Sequence, residues 1–323
     1  MTIDGTCPAR VEGSTPRRGR SWPLKVYVAG IVAVVVVAAG ANVVYQRTAA
    51  LDDARESAAA DATFGARIAA PDIAAAVGLA RTTVSSTAAN PGIAKVFDAP
   101  TGCTLSFGGV GAFATGHLDV VAPNGTVACS SLAVTPSSGY GGEQWLTAAL
   151  EKPTFVGPVI DARTGKQVVL ASSPITGMGA VVAFLDLDAL GPGLASRFGG
   201  PRRLEFVVTR ADDRVVLARS IDAASWVGAS TDNTPFAGIT GDVGHRDLDG
   251  AARLYGQATV DGLDWKVFAG ASKTEALAAA SRLSNRELAV SIIGLIVFLA
   301  ATWLIYRRVA RPRSSLLSTI STN

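Results

Sequence analysis

The 323-residue chain is poor in the residues that build metal sites. It contains three cysteines and two histidines, whereas a structural zinc site takes about four Cys or His ligands. Charged residues make up only 17% of the chain, below the roughly 25% that is usual for globular domains. The formal net charge is only +3, which argues against a nucleic-acid binder, because such proteins concentrate basic residues on one face.

Sequence motifs of common enzymes are missing as well. The chain has no G-x-S-x-G elbow, no P-loop and no H-E-x-x-H motif. His117 and His245 are the candidates for base catalysis near neutral pH, but they fall in a predicted strand and a polar turn. A calcium loop starting at His245 would place Gly256 where a bidentate Glu is required. We therefore interpret 242–249 as a hairpin turn and predict no enzyme, no metal and no cofactor.

Two long uncharged runs stand out in what is present. Residues 26–45 and 288–306 are twenty and nineteen residues long, and a helix of about 20 apolar residues crosses the hydrocarbon core of a membrane. The flanking segments 1–25 and 307–323 are basic, and basic flanks remain cytoplasmic. We predict a two-pass protein of the bacterial plasma membrane, with both termini cytoplasmic and residues 46–287 extracytoplasmic.

The first apolar run has an alternative interpretation as a cleavable signal peptide. Ala39-Gly40-Ala41 resembles an A-x-A cleavage site. The apolar run continues past this point to Tyr45, which favours an uncleaved anchor.

The positions of the cysteines agree with this topology. Cys7 falls in the predicted cytoplasmic tail and is expected to be a free thiol. Cys103 and Cys129 fall in the outer segment, where disulfides persist. A bridge between them closes a loop worth about 3.5 kcal/mol on the chain-entropy argument. The alternative is a pair of small buried thiols.

The outer segment begins with helical patterning and continues with strands. Residues 46–98 are Ala-rich and predict stalk helices, with a kink or a restart at Pro71. Short apolar runs separated by turn residues then predict two small antiparallel sheets, one in 99–200 and one in 201–272. Residues 273–287 resume helical composition and lead into the second apolar run.

The order of these elements resembles the double Cache family of bacterial extracytoplasmic sensors, whose two modules are PAS-like. The resemblance covers nearly all of 46–306. It rests on seven stretches in order: HLDVVAPNGTVACSS (117–131), GYGGEQWLTAAL (139–150), FVGPVIDARTGKQVVLASSPI (155–175), LDLDAL (185–190), WVGASTDNTPF (226–236), DLDGAARLYGQATV (247–260) and LDWKVFAG (263–270). It implies an α+β fold in which a membrane-distal module (99–200) and a membrane-proximal module (201–272) stand on a long N-terminal stalk helix between two transmembrane helices.

The resemblance also implies a ligand site in the distal module. Amino-acid-binding members use a Tyr, an Arg two residues before a Trp, and an Asp on the following hairpin. Tyr140, Trp145 and Asp161 match these positions, but Glu143 replaces the Arg. That Arg would pair with a ligand carboxylate, so an amine, an uncharged compound or no ligand remains open. The alternatives are a core aromatic for Trp145 and a turn-capping role for Asp161.

The resemblance predicts a membrane-anchored small-molecule sensor. Only seventeen residues follow the second apolar run, so we expect output through a separate cytoplasmic signalling partner. The further expected partners are an unidentified small-molecule ligand, the lipid bilayer and a second copy in a homodimer, with no nucleic acid. The alternatives are a structural or interaction protein of the cell envelope, which would be a sensor remnant without an output domain, and an envelope hydrolase that uses one of the histidines.

Overall fold

A computed structural model describes residues 24–98, 103–133, 139–212, 214–234, 236 and 244–309. The predictions for Cys7, for Asp242 and for the basic tails before residue 24 and after residue 309 lie outside the described residues. The described chain divides into two compact units: residues 49–282, and the two chain ends that flank them.

The described residues of the unit formed by the chain ends are helical. Helix α1 (Leu24–Ala88) begins in it, and helix α5 (Lys273–Val309) ends in it. Each helix contains an exposed stretch long and apolar enough to cross a membrane. These stretches match the two predicted apolar runs.

The unit 49–282 contains two five-stranded antiparallel sheets. The first has the strand order β2-β1-β5-β4-β3 and the second β7-β6-β10-β9-β8. The strands of the first sheet are β1 (Gly116–Val121), β2 (Val127–Ser130), β3 (Thr154–Ile160), β4 (Gln167–Ile175) and β5 (Gly179–Asp186). Those of the second are β6 (Glu205–Arg210), β7 (Val216–Arg219), β8 (Gly244–Arg246), β9 (Ala252–Val260) and β10 (Trp265–Ser272). The predicted α+β fold is confirmed.

Helix α1 supports both sheets through a stripe of small buried residues. The stripe runs from Ala58 to Val84 and belongs to one core cluster with the facing side chains of both sheets. Its small side chains allow very close approach: a Cβ added at Gly256 would lie 2.2 Å from Thr63 Cα. The helix continues through Pro71 and does not restart there. The neighbouring residues Ala70 and Ile73 are fully buried, so packing against the sheets offsets the lost hydrogen bond.

The face of the first sheet opposite to α1 is covered by helix α2 (Gln144–Glu151), which packs mainly on β4 and β5. Helix α3 (Leu190–Phe198) follows β5, the last strand of the first sheet. Helix α4 (Ala223–Trp226) follows β7, at the end of the β6–β7 hairpin. The patterning did not predict α3 or the three-residue strand β8. A disulfide joins Cys103 and Cys129, whose Cα atoms are 5.8 Å apart, within the usual range for a bridge.

Candidate functional site

Three of the four predicted ligand-binding residues meet at one corner of the first sheet, on its α2 face. Tyr140 precedes α2, Trp145 lies in its first turn, and Asp161 follows β3. All three are at most 5% exposed. The Tyr140 ring contacts Trp145 edge-on at 5.2 Å and stacks with Phe184 of β5 at 5.0 Å. We call this group, together with His117, Asp119, Ser130 and Arg163 described below, the distal corner.

The hydroxyl group of Tyr140 lies at the centre of the distal corner. It donates to Asp119 Oδ2 at 2.7 Å and lies 3.3 Å from Asp161 Oδ1. His117 Nε2 is 3.2 Å from the same hydroxyl, and its ring stacks on Phe184 at 4.4 Å. Burial, followed by the charge of Asp119, raises the pKa of Tyr140 far above its usual value, so the phenol keeps its proton.

The Asp161 carboxylate organises the turn between β3 and β4. It accepts hydrogen bonds from the backbone N–H groups of Arg163 and Thr164 at 3.1 and 3.0 Å, and from the Thr164 hydroxyl. Both interpretations of Asp161 are therefore compatible with its position, because it caps the turn and also faces Tyr140. Trp145 likewise is a core aromatic that borders the same corner.

Asp119 and Arg163 belong to the corner, although the sequence interpretation did not select them. Arg163 Nη1 contacts Asp119 Oδ2 at 2.7 Å, and its Nη2 donates to the Ala133 carbonyl at 2.9 Å. Burial would raise the pKa of Asp119, but hydrogen bonds from His117, Ser130 and Arg163 hold it below the usual range. A signal was available: His117 and Asp119 are polar residues two apart in an apolar strand, and such residues share one face.

Glu143 takes a different position from the other three predicted residues. It is half-buried at the N-cap of α2 and forms no capping hydrogen bond through its side chain. Among the described residues, none forms a hydrogen bond or ion pair with its carboxylate. In the described part of the chain, Glu143 is therefore an acidic residue without a partner at the start of α2, the helix that contains Trp145.

The second sheet carries a related corner at the equivalent place. The hairpins β1–β2 and β6–β7 both have a register shift, after Val120 and after Val208. Aligning the two shifts makes Glu205 equivalent to His117. In the same alignment of the two modules, Arg219 occupies the position of Ser130, Gly270 that of Phe184, and Tyr255 that of Leu170. Asp247 begins the turn before β9 as Asp161 begins the turn before β4, and each backbone both donates and accepts a hydrogen bond across its turn, with the turn at Asp247 one residue shorter.

This proximal corner (Glu205, Arg219, Asp247, Asp249, Arg253 and Tyr255) is a network of buried charges. Arg219, which is fully buried, donates from Nε to Glu205 Oε1 at 2.9 Å and from Nη2 to Asp247 Oδ2 at 3.0 Å. Arg253 Nε lies 2.6 Å from Glu205 Oε2 and donates to Asp247 Oδ2 at 3.0 Å. The turn around Asp247 agrees with the predicted hairpin, although residues 244–246 of the predicted turn form strand β8. No local pattern predicted the ion pairs.

The two central carboxyl groups of the proximal corner differ in pKa. Burial, helped by the neighbouring Asp247, raises the pKa of Glu205 to about 8. Burial acts in the same direction on Asp247, but the neighbouring Glu205 and Tyr255 side chains and a hydrogen bond from the Leu248 N–H lower its pKa to about 2. Near neutral pH, Glu205 is therefore mostly protonated and Asp247 is ionised.

Carboxylate oxygens of Glu205, Asp247 and Asp249 lie within 4.8 Å of one another, a spacing that could hold a cation. Arg219 and Arg253 already contact these oxygens. A metal ion would therefore have to displace guanidinium groups that neutralise the acids.

Comparison with solved structures identifies the same architecture in receptor domains. The ligand-binding domain of the Pseudomonas fluorescens chemoreceptor CtaA, in complex with L-leucine, matches with a TM-score of 0.50 and 18% identity over 70% of this chain and 99% of that domain. The extracellular domain of the putative histidine kinase soHK1S-Z6 matches with a TM-score of 0.50 and 18% identity over 72% of this chain and 98% of that domain. No protein-family profile and no curated protein matches the chain. This likeness confirms the predicted fold, in which two antiparallel-sheet modules stand on a long N-terminal helix.

Proposed function

We propose that the chain is a membrane-anchored extracytoplasmic sensor that binds a small molecule and passes a signal to a separate cytoplasmic partner. The observation that carries this proposal is the meeting of Tyr140, Trp145 and Asp161 at one buried corner of a fold shared with receptor ligand-binding domains. The apolar helices at the two chain ends would anchor the sensor. A ligand shifts such a receptor only if it binds one conformation more tightly than the other.

The proposed ligand lacks a free carboxylate. The CtaA domain was solved with an amino acid, L-leucine, and an amino acid brings a carboxylate that needs a cationic partner. Glu143 supplies a negative charge at the N-cap of α2 instead, and the one cation of the distal corner, Arg163, is already paired with Asp119. Like charges repel a carboxylate, so an amine or an uncharged compound fits better.

Binding at the distal corner would have to replace internal contacts. Asp119 already receives hydrogen bonds from Tyr140, Ser130 and Arg163. Of these groups, Arg163 sits on the turn between β3 and β4 and is the one that an incoming amine could replace on Asp119. Release of Arg163 would free this turn and so change the packing of β3 and β4, which supplies a route from ligand to sheet.

Thermal unfolding of the full-length chain in lipid nanodiscs tests the proposal. A metabolite panel should include L-leucine and its decarboxylated counterpart, 3-methylbutylamine, as a matched pair. Because a ligand at 100 times its Kd stabilises the folded state by about 2.7 kcal/mol, binding raises the unfolding temperature. We expect a rise with amines or uncharged compounds and none with L-leucine.

The variant Glu143→Arg sharpens this test. It restores a cation where amino-acid-binding relatives of the resembled family carry one, so it should create a response to L-leucine. Glu151→Arg, at the exposed other end of α2, makes the same charge change away from the corner and should create none. Absence of any stabilising compound for the wild type, together with no gain in Glu143→Arg, would contradict the ligand-sensing proposal.

One observation favours a second candidate function, a structural or interaction protein of the envelope. Among the described residues, each buried side-chain nitrogen and oxygen of the distal corner has a partner within the chain, as expected of a corner that only stabilises the fold. In-cell crosslinking that recovers the same envelope protein with wild type and with Tyr140→Phe, without any ligand response, would favour this candidate.

A further inference from the structure

The proximal corner, unlike the distal corner, contains buried donors that form no hydrogen bond within the described chain. Among the described residues, no group forms a hydrogen bond of normal geometry with Arg219 Nη1 or with the Tyr255 hydroxyl, which lies near Asp247, although both residues are fully buried. Glu205 Oε2 also lacks a hydrogen bond of normal geometry, but Arg253 Nε contacts it at 2.6 Å. Buried polar groups are nearly always satisfied by the protein, by water or by a ligand. Two free donors in one network therefore point to an acceptor that comes from outside the chain.

Both donors lie on the same face of the second sheet. Glu205, Gly270 and Tyr255 are register partners across β6, β10 and β9, so their Cα atoms form one row. Gly270 has no side chain, and the Tyr255 ring lies over it, since a Cβ there would be 2.6 Å from Tyr255 Cε1. Arg219 lies in the neighbouring row of register partners. Its Nε donates a hydrogen bond to Glu205 and its Nη2 donates one to Asp247, so Nη1 remains for another acceptor.

The charges of the proximal corner balance near neutral pH. Arg219 and Arg253 face Asp247 and Asp249, and the raised pKa of Glu205 keeps its carboxyl mostly neutral. A buried site without net charge disfavours a ligand that brings a full charge, because desolvation of that charge is not compensated. A cation is disfavoured further, since the two guanidinium groups already contact the carboxylate oxygens.

We propose that the proximal corner is a second ligand site, for a small molecule that presents an acceptor oxygen to Arg219 Nη1 and the Tyr255 hydroxyl. The acceptor belongs to an amide or other uncharged carbonyl compound, in keeping with the balanced charges. This site is independent of the one proposed at the distal corner. Its strand β10 ends at Ser272 and is followed directly by α5, so a ligand held here adjoins the chain segment that leaves the sensor.

The full-length chain in nanodiscs allows a test with matched probes. Acetamide and propionamide carry the uncharged carbonyl, while acetate and propionate have nearly the same shape with a charge. Unfolding temperatures are measured with each probe for the wild type, for Tyr255→Phe and for Tyr140→Phe. Tyr255→Phe removes one free hydroxyl and keeps the ring, whereas Tyr140→Phe makes the same change in the distal corner.

We expect an amide to raise the unfolding temperature of the wild type and of Tyr140→Phe, and to lose this effect in Tyr255→Phe. Without ligand, Tyr255→Phe should be as stable as the wild type or more stable, because it removes an unpartnered buried hydroxyl. A carboxylate that acts with the same dependence on Tyr255 would contradict the uncharged class of ligand. No rise with any probe, a rise that is as large in Tyr255→Phe as in the wild type, or a response to Ca²⁺ alone would overturn the proposal.

Discussion

Buried charges at the two corners are tolerated because each carboxylate is met by a cation or by several hydrogen-bond donors. Asp119 is paired with Arg163, and Asp247 with Arg219 and Arg253. Removing one member of such a pair leaves a buried charge without compensation, which costs far more than the pair itself contributes.

Loss of the Arg163 charge should therefore destabilise the fold strongly. Arg163→Met keeps the aliphatic volume and leaves Asp119 unpaired, so we expect a loss of about 3–5 kcal/mol in the free energy of unfolding. Arg197→Met breaks the exposed pair with Asp72 and should cost at most about 1 kcal/mol. Denaturant unfolding of both variants measures the difference. Equal losses would contradict the pairing described for Asp119.

The raised pKa of Glu205 makes stability depend on pH. Its folded value of about 8 lies above the ordinary 4.5, so its contribution to stability is fully present below about 4.5 and is lost as the pH rises through 8. Asp247, whose pKa is lowered, acts oppositely and only in strong acid. We expect the unfolding temperature to fall between pH 5 and pH 9 in the wild type, and to fall less in Glu205→Gln. Parallel pH profiles for the two proteins would count against a raised pKa.

At the scale of elements, the small residues of α1 decide how closely the sheets approach it. Ala58, Ala62 and Ala66 are fully buried, and Gly256 of β9 contacts the helix backbone near Thr63. Larger side chains in this contact would separate helix and sheet. The packing that offsets the hydrogen bond lost at Pro71 would then be weakened.

Gly256→Ala tests this close contact. The new Cβ would lie 2.2 Å from Thr63 atoms, so α1 must shift, and we expect a loss of about 1–3 kcal/mol in unfolding free energy. Gly78→Ala, on an exposed position of α1 with open space around it, should instead stabilise by about 0.5–1 kcal/mol. Chemical denaturation of both variants compares them, and a neutral Gly256→Ala would refute the contact.

At the scale of the whole molecule, two modules of the same strand order stand on one helix, and each end of unit 49–282 continues into apolar helix. The membrane orientation, the homodimer and the cytoplasmic partner stay predictions. The orientation is the premise of the proposed ligand sites, because a ligand from outside the cell must reach both corners.

Cysteine labelling in intact cells measures the orientation. Lys266→Cys places a thiol at an exposed position of β10, and a membrane-impermeant maleimide should label it without permeabilisation. Cys7 is the internal control, since the basic N-terminal segment predicts that it reacts only after permeabilisation. Labelling of Cys7 alone in intact cells would reverse the topology.

Most of the fold could be predicted from local signals. The two apolar runs, the hairpins around Asn124-Gly125 and Thr164-Gly165, and the cysteine pair depend on composition, turn residues and compartment, which are visible along the chain. For the candidate site, Tyr140, Trp145 and Asp161 were selected by resemblance, and their meeting agrees with that choice. Their role as ligand-binding residues stays a prediction, as does that of Glu143.

The sequence by itself determined where helix, strand and membrane-length runs lie, because periodicity and turn chemistry act between residues a few positions apart. Only the tertiary structure decided which buried charges meet, such as Asp119 with Arg163 across 44 positions and Glu205 with Arg219 across 14. These pairs depend on strand register and on which sheet face each side chain shares, and both are set when the sheets pack against α1.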